Sequence, residues 1–128
     1  MASEVYRRLA EALDRIPNGF ASTESGVELE LLARMFEPEE AALAAVMTLE
    51  AESADEIAER AGLAPEAAGA KLEGMVAKGL VRALRSDERA RFGLIPFVVG
   101  VYENQLPRMD EEMAALFERY YLEARGGG

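Results

Sequence analysis

A chain of 128 residues, half of them apolar and 30% charged, is long enough to bury a core within a single domain. It contains no cysteine and no histidine, which excludes disulfides, thiolate-held metals or iron–sulfur clusters, and imidazole general bases within these residues. The net charge of −10 repels nucleic acid unless the few cations gather on one face.

The first helix is expected from Ser3 to Ile16, with Val5, Leu9, Ala12, Leu13 and Ile16 on one face. "PNGF" ends it as a turn. A second helix is expected to start at Ser25, with Glu28 completing a capping box, and to bury Val27, Leu31, Leu32, Met35 and Phe36. "MASEVYRRLAEALDRI" lacks a signal-peptide core, and no apolar run reaches the roughly 18 residues of a membrane span. A cytoplasmic setting without a membrane partner is therefore expected.

From Pro38 the order of signals becomes more specific. "PEEAALAAVMTLE" places proline and acids in a first turn, with Leu43, Val46 and Met47 inward, and predicts a helix over residues 38–48. "SADEIAERAGL" opens on a capping box of Ser53 and Glu56 and stops at Gly62, which predicts a helix over 54–61. "APEAAGAKLEGMVAKG" predicts a helix over 65–78 that buries Ala68, Leu72, Met75 and Val76. "LVRALR" and "ARFGLI" around a polar turn predict a hairpin near 80–95. Three helices with a glycine turn and then a hairpin describe a winged helix-turn-helix; the alternative is a helical bundle with an incidental hairpin. The fold class expected is mainly α, as one domain over 1–128: N-terminal helices at 1–36, the winged-helix core at 38–95, a C-terminal helical arm at 96–124 and a tail at 125–128.

The arm follows from a spacing. Ile95, Val99, Tyr102, Leu106, Met109, Met113, Leu116 and Tyr120 recur at alternating steps of four and three, a helical seam that a strand does not produce. Pro107 within it predicts a kink or two abutting helices. The first helix is expected to cover part of the seam. The exposed remainder, at Met113, Leu116, Phe117 and Tyr120, is expected to join two subunits in a homodimer.

A helix that reads the major groove needs side chains that meet base edges. Between Pro65 and Ala77 the only such residue is Lys71, while Glu66 and Glu73 repel phosphate. Lys78, Arg82, Arg85, Arg89 and Arg91 surround the hairpin, either as a solvated surface or as phosphate contacts, which carry no sequence information. Sequence-specific nucleic-acid binding is not expected. Ala67, Ala70, Gly74 and Ala77 share a helix face as a smooth strip where another backbone can approach, or are ordinary helix formers in a stable domain. The carboxylates of "GVELE", "EPEE" and "DEE" fall at helix starts, where acids complement the dipole. No catalytic constellation emerges.

"YRRLAEALDRIPNGFASTESGVELELLARMFEPEEAALAAVM", "SADEIAERAGLAPEAAGAKLEGMVAKGLV" and above all "PFVVGVYENQLPRMDEEMAALFERYY" carry a resemblance over nearly the whole chain. The sequence resembles the N-terminal region of anaerobe-associated 4Fe-4S binding (ferredoxin-domain) proteins. The resemblance implies a winged-helix-like region ahead of cysteine-rich segments that hold [4Fe-4S] clusters. None of those cysteines falls on a residue here, so no cofactor is expected in this chain. The expected function is a non-enzymatic interaction or dimerisation module, the N-terminal part of a 4Fe-4S electron-transfer protein, whose partners are a second copy, a redox protein, or both. Two alternatives stand beside it: a winged-helix transcription regulator, and an electron carrier once a cluster domain is counted.

Overall fold

The computed structural model describes residues 2–16, 19–85, 90–96 and 102–126. The chain is mainly helical with a small three-stranded antiparallel sheet. Helix α1 (Ala2–Arg15) buries Tyr6, Leu9, Ala12 and Leu13. Tyr6 is tied down at its polar end, where its hydroxyl donates to the Phe36 carbonyl at 2.6 Å.

Helix α2 (Val27–Met35) has its N-cap at Gly26, one residue later than the expected Ser25 cap. Gly26 takes φ +78°, a left-handed conformation that glycine adopts without steric penalty, and reverses the chain ahead of the helix. Glu28 does not reach back to Ser25. Its buried carboxylate accepts the Thr23 N–H at 3.1 Å and the Thr23 hydroxyl at 2.6 Å.

Helix α3 (Pro38–Ala45) is capped by Glu37, whose N–H donates to the Glu40 carboxylate at 2.8 Å. It ends three residues short of 48. The chain leaves it to run beside the sheet, where the Leu94 N–H donates to the Thr48 carbonyl at 2.7 Å. That approach is close: a Cβ on Gly93 would lie 2.8 Å from the Leu49 carbonyl oxygen. Helix α4 (Ala54–Ala61) shows the reciprocal Ser53–Glu56 cap and stops at Gly62, φ +73°, on the predicted bounds. Helix α5 (Pro65–Ala77) ends one residue before 78. Strands β2 (Val81–Arg85) and β3 (Ala90–Leu94) pair as the predicted hairpin, with Val81 opposite Leu94 and Arg85 opposite Ala90. On the other edge of β3 lies β1 (Glu52–Ser53), so the sheet order is β1-β3-β2. Two residues carry no alternation, and the sequence reading did not contain this strand. Leu43, Met47, Ile57, Leu72 and Met75 are buried as expected, whereas Val46 and Val76 are only half-buried at the rim.

The arm is helical but phase-broken. Helix α6 (Tyr102–Gln105) runs into a 3-10 turn (Leu106–Arg108) containing Pro107, and helix α7 (Glu111–Gly126) follows. Asp110 starts α7 by accepting the Met113 N–H at 2.7 Å. The tighter winding at 106–108 breaks the helical phase, so the seam does not continue on one face: Leu106 is 51% exposed, while Met113 and Tyr120 are buried. Ile95, Met109 and Leu116 are half-buried, and Val99 lies outside the described residues. The arm also chooses a different support from the one expected. Helix α7 packs on α2, and α1 packs chiefly on α3.

Tyr120 locks the arm in place. Its ring lies 5.2 Å from that of Phe20, and its hydroxyl donates to the Ala21 carbonyl at 2.9 Å. Burial, with a smaller contribution from the negative charge of Glu28, pushes the phenol up to about 12. The fold therefore favours the neutral phenol: this contribution is fully present below pH 10 and is lost as pH rises through 12. Tyr120→Phe is expected to lower stability by about 1 kcal/mol near neutral pH, through the lost hydrogen bond. The gap should narrow between pH 10 and 12, where only the parent titrates. Urea unfolding at pH 7 and pH 11 measures both; an unchanged gap would remove the titration argument.

Candidate interaction surface

Two faces carry the residues that sequence reasoning singled out. The first is the outer side of α5 with the hairpin. Glu66, Ala67, Ala70, Glu73, Gly74 and Ala77 are exposed. Lys71, the one base-reading side chain expected on this helix, turns back to α3: its ammonium lies 3.0 Å from Glu37 and 3.4 Å from Glu39. The hydrogen bond to Glu37 is the leading reason that the Lys71 pKa rises above its ordinary value.

The hairpin cations are engaged in much the same way. Arg85 makes two hydrogen bonds to Glu73, at 2.8 and 3.1 Å, which hold the Glu73 carboxyl below the usual carboxylate range. Arg82 donates to the Leu49 carbonyl. Lys78 reaches the buried Glu40 at 2.7 Å, across from the end of α5 to α3. Arg91 stands exposed on β3, and Arg89 lies outside the described residues. The glycines of α5 are not there for internal packing: a Cβ at Gly74 would meet nothing within 4 Å, and one at Gly69 would touch the Ala54 Cβ at an ordinary 3.9 Å.

The second face is the arm. Of the four residues expected to join two subunits, Met113, Phe117 and Tyr120 are buried inside their own chain. Their faces are consumed because α7 lies along α2. Leu116 alone remains half-exposed. Charged pairs hold the two helices at both ends. Arg34 pairs with Glu112 and lies 3.1 Å from Asp110, while Arg119 lies 3.6 Å from Glu30 and 2.8 Å from Glu123. Glu123 also accepts the Ser25 hydroxyl.

Sequence reasoning missed two devices. Asn104 and Gln105 donate to the Gly79 and Lys78 carbonyls, at 3.0 and 2.9 Å, and so satisfy acceptors just beyond the end of α5. The Glu40–Lys78 pair is the other. "NQ" ahead of Pro107 was a usable polar signal, but nothing in the spacing says which helix end it meets.

A cleft of about 610 Å³ lies between α1 and residues 20–29, and two of its carboxylates are engaged within the chain. Asp14 accepts the Phe20 N–H at 2.8 Å, and Glu28 is held by Thr23. Among the described residues, no three potential ligands converge as a metal-holding group, and no helix is long and apolar enough to cross a membrane. No protein-family model matches the chain, and no curated protein matches it significantly in sequence.

Proposed function

We propose that residues 38–94 form a winged helix-turn-helix that serves as a non-enzymatic interaction module and does not read DNA sequence. Support for the fold part comes from the element order α3-β1-α4-α5-β2-β3, the Gly62 turn between α4 and α5, and the sheet order β1-β3-β2. The observation that carries the function part is the exposed face of α5. Where a reading helix presents donors and acceptors to base edges, this one presents alanine, glycine and glutamate, and its single lysine is paired with two carboxylates of α3. The resemblance of "PFVVGVYENQLPRMDEE" to the region preceding 4Fe-4S segments supports placing the module at the N-terminal side of an electron-transfer protein, where it holds or orients a redox partner.

The test is a fluorescence-anisotropy titration with mixed-sequence duplexes. Weak binding through Arg82, Arg85 and Arg91 is expected at low salt only, since it rests on counterion release. A retained preference for one duplex sequence at physiological ionic strength would replace this reading with a transcription regulator.

A further inference from the structure

The arm leaves a second face beside the one it buries. With Met113, Phe117 and Tyr120 buried within their own chain, the adjoining side of α7 carries Glu112, Ala115, Leu116 and Arg119, at helical spacing. Together with Ala33 of α2 it forms a shallow open groove, about 600 Å³, whose floor is Ala33, Ala115 and the half-exposed Leu116. Charges close both ends: Arg34 with Glu112, and Arg119 with Glu30.

We propose that this groove receives a second copy of the chain, with the two α7 helices antiparallel about a two-fold axis between Ala115 and Leu116. The proposal rests on the interaction-module reading and names its partner. The argument is charge complementarity. Glu112 and Arg119 lie at equal distances along α7 on either side of that axis and are opposite in sign. A two-fold antiparallel pairing therefore sets Glu112 of each copy against Arg119 of the other. A parallel pairing sets glutamate on glutamate and arginine on arginine, so the pattern opposes that alternative.

The small side chains matter as much. Each Leu116 falls over the other copy's Ala115, and with Ala33 alongside, the helices can approach without a bulky residue between them. The internal pairs then extend across the interface, as Arg34, Glu112, and the other copy's Arg119 and Glu30, alternating in sign. On a chain of net charge −10 most surfaces of two copies repel. Glu30, Arg34, Glu112 and Arg119 line this groove with both signs, so a cation stands where each carboxylate of the other copy approaches, while Asp110 and Glu123 beside the two arginines leave the patch as a whole net negative.

Light scattering on the full chain at high micromolar concentration, with two single variants, tests the arrangement. The parent chain is expected to be a dimer. Arg119→Glu and Glu112→Arg, each alone, bring like charges together and are expected to weaken association roughly tenfold or more. Mixing the two variants restores opposite charges at both contacts, so the mixture is expected to return to dimer mass. A variant that merely misfolds is not rescued by mixing. Leu116→Asp is expected to give a monomer, and Ala114→Asp, at an exposed position on the side of α7 turned away from the groove, to leave the dimer intact. A monomeric parent, a mixture that stays monomeric, or a dimer broken by Ala114→Asp and not by Leu116→Asp would each overturn the proposal. None of these outcomes touches the reading of α5, which falls only to a duplex-sequence preference.

Discussion

Replacing Lys78 with methionine is expected to lower stability by about 3 kcal/mol, because it leaves the Glu40 carboxylate buried without its cation. The Glu40 side chain is 5% exposed and that of Lys78 is 30% exposed, with the ammonium 2.7 Å from one carboxylate oxygen and 2.8 Å from the other. The remaining bond, from the Glu37 N–H at 2.8 Å, stabilises the charge only in part. Removing one member of a fully buried pair costs about 3–5 kcal/mol; solvent reaching the outer part of the Lys78 chain places this case at the lower end. Glu40→Gln is expected to cost less, about 1 kcal/mol, since the amide oxygen still accepts from Glu37 and no charge is stranded. Combining Lys78→Met with Glu40→Gln should therefore be milder than Lys78→Met alone, and urea unfolding of the three variants gives the coupling. A loss below about 1 kcal/mol for Lys78→Met would mean that water already solvates Glu40.

Gly79→Ala is the second large effect, with an expected loss of about 2–4 kcal/mol. Gly79 sits at φ +76°, where a residue with a Cβ loses roughly 1–2 kcal/mol. The added Cβ would also lie 2.5 Å from the Asn104 Cβ, the near end of a side chain that cannot swing away. Helix α6 must then shift, which weakens the bonds from Asn104 to the Gly79 carbonyl and from Gln105 to the Lys78 carbonyl. Each such bond contributes about 1 kcal/mol. Asn104→Gly in the same chain relieves the clash and leaves the conformational part. Gly74→Ala is the contrasting change: an exposed helical position with open space, where alanine should stabilise by about 0.5–1 kcal/mol. Thermal and urea unfolding compare the pair. Equal effects at Gly74 and Gly79 would sink the argument.

What could be read directly from the residues was whatever closes within one helical turn. Helix α4 fell on its predicted bounds because Ser53, Glu56 and Gly62 act on their immediate neighbours. Pro38 and Pro65 marked helix starts for the same reason, and the apolar spacing after Pro107 was enough to make α7 a helix. Locality also explains the miss at Ser25. Thr23 and Ser25 both lay within reach of the Glu28 turn, and the reversal at Gly26 decided for Thr23.

Which surface each helix meets was not local, and the tertiary structure alone decided it. The seam residues Met113 and Tyr120 were apolar for either α1 or α2, and α7 lies on α2, which consumed the side chains expected between subunits. A 3-10 turn of three residues rotated Leu106 outward, although its spacing matched that of its neighbours. Lys71 read as the one base-reading side chain of α5 and Lys78 and Arg85 as cations around the hairpin, but each found a carboxylate on another element, at Glu37, Glu40 and Glu73. The sequence by itself determined the helices, the hairpin and the scarcity of base-reading groups on α5, because periodicity, caps and composition act along the chain. Only the fold decided which charges are spent and which face of α7 is left, because those depend on residues that meet across dozens of positions.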